Sequence, residues 1–212
     1  TGNPGNVLIR AQVENVQCGF IPRINIKHTS GELIAGGEFR IHRSDHWGSV
    51  GYGENLPAGL TKDYRYYFYN GGKDVINGFI NENYKLNDRV NLLGEIQVAY
   101  HKYKIENERF VGNDFSISNV FINPRLGVNY KLDESKQIYI AFARVTREPR
   151  LKNYYDAAES GGGAIPQFES TTDTSGNIIY NFNNPLVEPE TMNDIEIGTV
   201  ISNENYKISL NL

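Results

Sequence analysis

Residues 89–105 alternate strictly: Val90, Leu92, Gly94, Ile96, Val98 and Tyr100 interleave with Asn91, Leu93, Glu95, Gln97, Ala99 and His101. Successive side chains of a β-strand point to opposite faces. The stretch therefore reads as a strand with one apolar face capped by a tyrosine and one face bearing a carboxylate, amides and a histidine. It is also far longer than the usual soluble strand of about five or six residues. A long amphipathic strand with a wet inner face is what a membrane-spanning barrel requires, because hydrocarbon tolerates no unpaired backbone edge.

The pattern recurs. In 116–132, Val120, Ile122, Pro124, Leu126, Val128, Tyr130 and Leu132 alternate with Asn119, Phe121, Asn123, Arg125, Gly127, Asn129 and Lys131. In 74–86, Ile76, Gly78, Ile80, Tyr84 and Leu86 oppose Val75, Asn77, Phe79, Asn81, Asn83 and Lys85. In 32–43, Leu33, Ala35, Gly37, Phe39 and Ile41 oppose Glu32, Ile34, Gly36, Glu38, Arg40 and His42, and Tyr206, Ile208, Leu210 and Leu212 close the chain in the same manner. Pro124 has no amide donor, which predicts a bend or bulge there. A half-buried soluble sheet also alternates, so alternation alone leaves both readings open.

Composition narrows the classes. With 21 basic and 25 acidic residues the chain carries a net charge of −4, without the basic stripe that nucleic-acid binding needs. Fourteen tyrosines and ten phenylalanines against one Met and one Trp favour strands. No run approaches the roughly 18 apolar residues of a membrane helix. A mean hydropathy of −0.48 is compatible with a barrel whose staves are half wet. Cys18 stands alone, so no internal disulfide forms and no cysteine cluster binds metal. Without an initiator Met or signal peptide, and ending inside an alternating run, the chain reads as a piece of a longer protein.

Connection lengths add a second constraint. Short links at 28–31, 87–88, 133–136 and 203–205 alternate with long ones at about 44–72, 106–115 and 148–191. An up-and-down barrel sorts odd and even connections to opposite ends, and outer-membrane barrels have short periplasmic turns and long external loops. Tyr84-Lys85-Leu86-Asn87-Asp88 and Tyr130-Lys131-Leu132-Asp133-Glu134 repeat one motif beside two short turns, and Tyr206 follows a third. These tyrosines fit an interfacial aromatic girdle. Eight strands are expected, at 20–28, 32–43, 73–86, 89–105, 116–132, 137–147, 192–202 and from 206 onward, with a ninth within 7–13. Eight strands close a small barrel, while the ragged ends and large loops favour an open segment of a bigger one.

Ile138-Tyr139-Ile140-Ala141-Phe142-Ala143-Arg144-Val145-Thr146-Arg147-Glu148-Pro149 resembles the strand of TonB-dependent outer-membrane receptors that leads into an external loop. Asn184-Pro185-Leu186-Val187-Glu188-Pro189-Glu190 followed by Met192-Asn193-Asp194-Ile195-Glu196-Ile197-Gly198 is similar to the family's more specific motif, although Leu186 directly follows Pro185 where the family often has one more residue. Loop segments 44–48 and 56–59 resemble receptors of Bacteroidetes-like bacteria. The resemblance implies an all-β, antiparallel up-and-down transmembrane β-barrel segment, with residues 1–212 forming part of a barrel of about 22 strands. It further implies an N-terminal plug absent from this chain, a location in the bacterial outer membrane, and import of a scarce small-molecule ligand such as an iron–siderophore or cobalamin. The implied partners are outer-membrane lipid and the TonB–ExbB–ExbD energy-coupling complex, acting through the plug. No enzymatic role and no cofactor is implied.

Two rival readings stay open at this point: a soluble or surface-attached all-β binding module, with its apolar faces packed together, and a diffusion porin with an external loop folded into an open pore. Candidate ligand contacts in the external loops are His46, Trp47, Tyr66, Tyr67 and Tyr69, since aromatic rings with polar tips bury much area at low entropic cost. The aromatic run 64–69 also reads as a strand rising beyond the membrane. Glu95, Arg125, Arg147 and Glu196 are expected to face the lumen or plug, with Lys131 beside them. His42, Asp45 and His46 have metal-compatible spacing but read better as a solvated loop tip, so no metal site is expected. Arg147-Glu148-Pro149-Arg150 reads as a charged strand end, or as groups pairing inside the barrel. The Gly161-Gly162-Gly163 run lacks a phosphate-loop lysine and reads as a mobile recognition loop. No nucleophile or acid–base constellation is recognisable, so no catalytic residue is assigned.

Overall fold

The structure, a computed structural model, describes residues 5–212. Among the described residues, strands β1 (Val7–Phe20), β2 (Arg23–His28), β3 (Gly31–Gly53), β4 (Arg65–Lys85), β5 (Val90–Glu106), β6 (Phe115–Lys131) and β7 (Lys136–Arg147) come first. A loop follows that holds a helical turn α1 (Leu151–Tyr154), a 3-10 helix (Ala157–Gly162) and a hairpin of β8 (Phe168–Thr172) and β9 (Ile178–Pro185). Strands β10 (Glu190–Ser202) and β11 (Lys207–Asn211) end the chain. The main sheet runs β1-β3-β4-β5-β6-β7-β10-β11, with β2 also on β3, and every pairing is antiparallel. The sheet is an open arc, with β1 and β11 at its two edges.

The expected strand at 20–28 and the separate ninth at 7–13 are one stave. Phe20 pairs with Phe39 and Arg23 with Gly36, so the register runs unbroken from β1 into β2. Pro22 divides them because it has no N–H to give the ladder, while its carbonyl still accepts from Gly37 N at 3.1 Å.

Pro124 produces no bulge. Ile96 pairs with Pro124 within a continuous β5–β6 register. The missing donor acts on the other side: the β6–β7 ladder stops at Arg125, and Asn123 Oδ1 accepts from Thr146 N at 2.9 Å just beyond it. The expected loop 44–72 is also much shorter, because β3 continues to Gly53 and β4 starts at Arg65. Aromatic and β-branched residues on paired backbone carry the strands outward. The outermost expected loop, 148–191, has secondary structure of its own.

Three of the four short turns share one device. Asn87 Oδ1 accepts from the amides of Arg89 and Val90, Asp133 Oδ1 from Ser135, and Asn203 Oδ1 from Asn205 and Tyr206, all at 2.8–3.0 Å. An Asx side chain bonding the backbone two residues on mimics a turn and closes it cheaply.

The two faces of the arc differ as a membrane wall requires. Ile96, Val98, Leu126 and Val128 are 47%, 45%, 56% and 42% exposed on the outer face. Ile80 and Ile122 stand beside them across the strands. No second layer covers these side chains, so the apolar faces do not meet as a soluble two-layer module demands. On the inner face, polar groups satisfy one another: Asn81 Nδ2 donates to Glu95 at 2.8 Å, Asn123 Nδ2 to Gln97 at 3.2 Å, and Asn77 Nδ2 to Glu38 at 2.8 Å. Replacing Ile96 or Val128 with lysine puts a charge into mid-bilayer hydrocarbon. The expected cost is about 2–4 kcal/mol, measured by reversible folding of the whole barrel into lipid vesicles, with Gln97→Lys on the inner face losing only its hydrogen bond to Asn123, about 1 kcal/mol.

Candidate ligand-facing site

The outer apolar band ends where Phe39, Ile76, Tyr100 and Val120 lie side by side across β3–β6. The next outward row is Ile41, Asp74, Lys102 and Ser118, and its three polar members mark the water boundary. Beyond that level the staves continue, and their inner face carries His42, Ser44 and His46 on β3, Tyr69, Gly71 and Lys73 on β4, and Tyr103 and Ile105 on β5.

His46 and Tyr69 are cross-strand partners with rings stacked at 4.6 Å and 5° between planes. Ser44 Oγ lies 2.8 Å from His46 Nε2. The close approach depends on Gly71, where a Cβ would sit 2.7 Å from Ser44 Oγ. Burial lowers the His46 pKa, reinforced by His42 and opposed by Asp45, so the imidazole is neutral near pH 7. Burial, then Tyr67 and Asp156, push the Tyr69 hydroxyl up to about 12.

Alternation separates the candidates that sequence spacing grouped. His46 points inward, so Trp47 points outward, where its Nε1 donates to Gln12 at 2.9 Å and the Arg65 guanidinium lies 5.0 Å from its ring. Trp47 is therefore on the opposite face from a lumen ligand. Tyr66 and Tyr67 break the alternation: a bulge sets Gly48 against Tyr67 and Ser49 against Arg65, leaving Tyr66 as the extra residue. Both rings come to the Gly48 side in an edge-on pair at 5.2 Å, and a Cβ on Gly48 would be 2.4 Å from each of them. Asp45 faces outward and accepts from Asn70 Nδ2, so His42, Asp45 and His46 do not converge. Among the described residues no three His, Cys, Asp or Glu side chains gather at metal-binding distance.

The long loop folds inward over this wall. Tyr154, Tyr155, Ala157 and Phe168 from the loop form a buried cluster with Ile105, Phe115 and Ile117 of β5 and β6. Phe115 meets Phe168 edge-on at 5.0 Å and stacks on Phe182 at 5.2 Å. Tyr69 packs against the cluster and serves as a seat for the loop, while Tyr67, only 6% exposed, packs on Tyr66 and Tyr69. Glu108 ties the neighbouring loop together, accepting from the amides of Phe110, Val111 and Gly112 at 2.8–2.9 Å and from Ser160 Oγ at 3.4 Å. The triple glycine at 161–163, expected to be a free recognition tip, ends the 3-10 helix, with Gly163 at φ 94°, a backbone state that glycine adopts without strain. Phe168→Ala removes a fully buried ring, a loss of about 3–5 kcal/mol. Limited proteolysis of the whole receptor is then expected to cut within 156–165 where the unaltered protein resists.

A cavity of about 340 Å³ remains between wall and loop, lined by His42, Ser44, His46, Tyr69, Lys73 and Tyr103 and by Leu151, Lys152, Tyr155 and Asp156 of the loop. Lys73 of this lining also meets Glu148, which pairs across to the wall. One carboxylate oxygen pairs with Lys73 Nζ and the other lies 2.8 Å from His101 Nδ1. Lys73 also donates to the Tyr103 hydroxyl at 3.1 Å. Burial would raise the Glu148 pKa, but the hydrogen bonds from His101 and Lys73 outweigh it and leave the carboxyl below the usual range. A depressed carboxylate stabilises the docked loop fully above the unperturbed value of about 4.3 and loses that contribution as pH falls through its own lower value. Hydrogen exchange across 149–167 is expected to be flat from neutral pH down to that region and to quicken below it, after correction for intrinsic rates.

The expected lumen charges are placed individually. Glu95 lies 3.7 Å from Arg125 Nη1, across the β5–β6 pair. Glu196 accepts from the Tyr139 hydroxyl at 2.8 Å and Asn211 Nδ2 at 2.9 Å. Arg147 ends β7 opposite Glu190 with an exposed side chain. Sequence reasoning missed Lys73, His101 and Tyr103 as partners of Glu148; the signal was present in their shared inward parity along β4 and β5.

A sequence profile described as "TonB dependent receptor-like, beta-barrel" matches residues 8–212. The chain belongs to the TonB-dependent receptor β-barrel family. Its place is therefore the bacterial outer membrane, in a family of transporters rather than enzymes. A search of curated proteins found no match. Among solved structures it is similar to the copper transporter OprC (12% identity, TM-score 0.66, 96% of this chain and 30% of that one). It is also similar to the ferric citrate transporter FecA without ligand (14%, 0.63, 98% and 29%) and to the ferric yersiniabactin uptake receptor FyuA from Yersinia pestis (13%, 0.57, 97% and 29%). At these identities the likeness is one of fold, and the chain spans less than a third of each structure's length.

Proposed function

We propose that this chain supplies a stretch of barrel wall and part of the external vestibule of a TonB-dependent transporter that imports a scarce small-molecule ligand. The family match over 8–212 carries the reading, and the apolar outer and polar inner faces support it. In the whole protein the ligand would meet the inner wall beyond the membrane, where His46, Tyr69 and Tyr103 border the cavity, and then pass a plug driven by the TonB–ExbB–ExbD complex. No bond chemistry is needed: binding and release perform the work. Residues 1–212 are read as one partial barrel domain. An iron–siderophore or cobalamin is the proposed ligand class, and the copper, ferric citrate and ferric yersiniabactin named for the structural neighbours are in keeping with metal complexes.

One observation favours a second reading. The inward-folded loop 148–189 is the feature a diffusion porin uses to narrow its pore. A porin would admit solutes without energy, so the two readings part on energy dependence. Cells lacking the whole receptor are expected to lose saturable uptake of a radiolabelled iron–siderophore or of cobalamin, and cells lacking TonB to lose it equally. Uptake that persists without TonB, yet vanishes with the receptor, would establish the porin.

A further inference from the structure

We propose that Lys73, His101 and Tyr103 form an anion-binding site on the inner wall, filled in this structure by the chain's own Glu148, which an incoming organic carboxylate displaces to free the root of the loop. The inference rests on the reading that this wall faces the ligand path, and it adds a ligand chemistry and a switch to it.

The site is built rather than incidental. Both oxygens of Glu148 are engaged, one by Lys73 and one by His101, and the three side chains are only 25%, 21% and 14% exposed for Lys73, His101 and Glu148. Charge-assisted hydrogen bonds of this kind are about twice as strong as neutral ones. Tyr103 holds the ammonium from below, its hydroxyl accepting at 3.1 Å and its ring centroid 4.8 Å away. Lys73 therefore stays aimed at the same point when Glu148 leaves, and His101 rests edge-on against Phe121 with ring centroids 5.4 Å apart.

Access comes from the cavity, since Lys73 and Tyr103 line it as well as the clamp. Exchange of one carboxylate for another keeps Lys73 paired throughout, which avoids the high cost of a half-buried charge left alone. The internal carboxylate competes at an effective concentration on the order of millimolar, so an external anion needs further contact to win. Tyr103, Ile105 and Leu151, which line the cavity together with Lys73, offer that contact to an apolar body. The fitting class is a small organic anion with a carboxylate on a compact apolar body. Glu148 is the first residue of the loop after β7, and the apolar cluster holds the segment farther along. Displacement thus loosens 149–153 first.

Salicylate is the probe, with uncharged salicylamide as its control, on the whole receptor in detergent micelles whose folding is checked by heat-modifiable electrophoretic mobility. Adding salicylate to the unaltered receptor is expected to speed hydrogen exchange across 149–153, and salicylamide to leave it unchanged. By calorimetry Glu148→Gln is expected to bind salicylate about tenfold more tightly, because the competing charged hydrogen bonds are removed. Adding Lys73→Met to that variant is expected to abolish the gain. Unchanged exchange with salicylate, equal affinity in Glu148→Gln and the unaltered receptor, or equal binding of salicylamide would overturn the proposal. Loss of TonB-dependent uptake is a separate readout: its absence refutes the transport reading and leaves these binding measurements standing.

Discussion

Backbone hydrogen bonding in hydrocarbon governs this molecule. A bilayer offers no water to an unpaired amide or carbonyl, so each stave must pair along its membrane length. The antiparallel ladders from β1 to β11 meet that demand over most of the band, and at two interruptions a neighbouring group takes up part of the loss. Pro22 interrupts the β1–β2 stave without shifting its register, and its carbonyl remains bonded. Pro124 ends the β6–β7 ladder, yet Asn123 supplies an acceptor to Thr146 at the gap.

Pairing on this scale fixes which side chains meet lipid and which meet one another. The outer face needs only apolar bulk, so Ile96, Leu126 and Val128 stand without partners of their own. The inner face needs polar satisfaction, which Glu95, Arg125, Glu196 and Asn77, Asn81 and Asn123 provide across neighbouring strands. Beyond the bilayer the same staves continue into water and lose the lipid that covered one side. A different solution takes over there. The long loop returns to the inner face and builds a small aromatic core on it, so the vestibule wall has the packing of a globular domain, with Tyr69 and Phe168 in its seams.

The vestibule therefore has two kinds of attachment. The aromatic cluster is apolar and insensitive to charge, while the Glu148 clamp is ionic and sits at the loop's root beside a cavity. An anion arriving through that cavity acts on the second attachment and not the first. Such a division lets a loop respond locally without coming away from the wall.

Much of this was legible in the amino-acid order. Period-two alternation named the faces of β3 to β6, and connection lengths sorted the turns, because both are local consequences of strand geometry. Asn87, Asp133 and Asn203 mark their turns for the same reason. Strand limits were less legible: aromatic residues at 66–69 suit a loop that binds ligand and a strand that rises above the membrane equally well. Parity arguments also failed where a bulge intervened, since nothing local announces that Tyr66 and Tyr67 share a side. The sequence by itself determined the amphipathic staves and the end of the barrel at which they turn. Tertiary structure alone decided that residues 148–189 fold inward and that Glu148 meets Lys73 and His101, because those contacts join distant segments and depend on the curvature and register of the assembled wall.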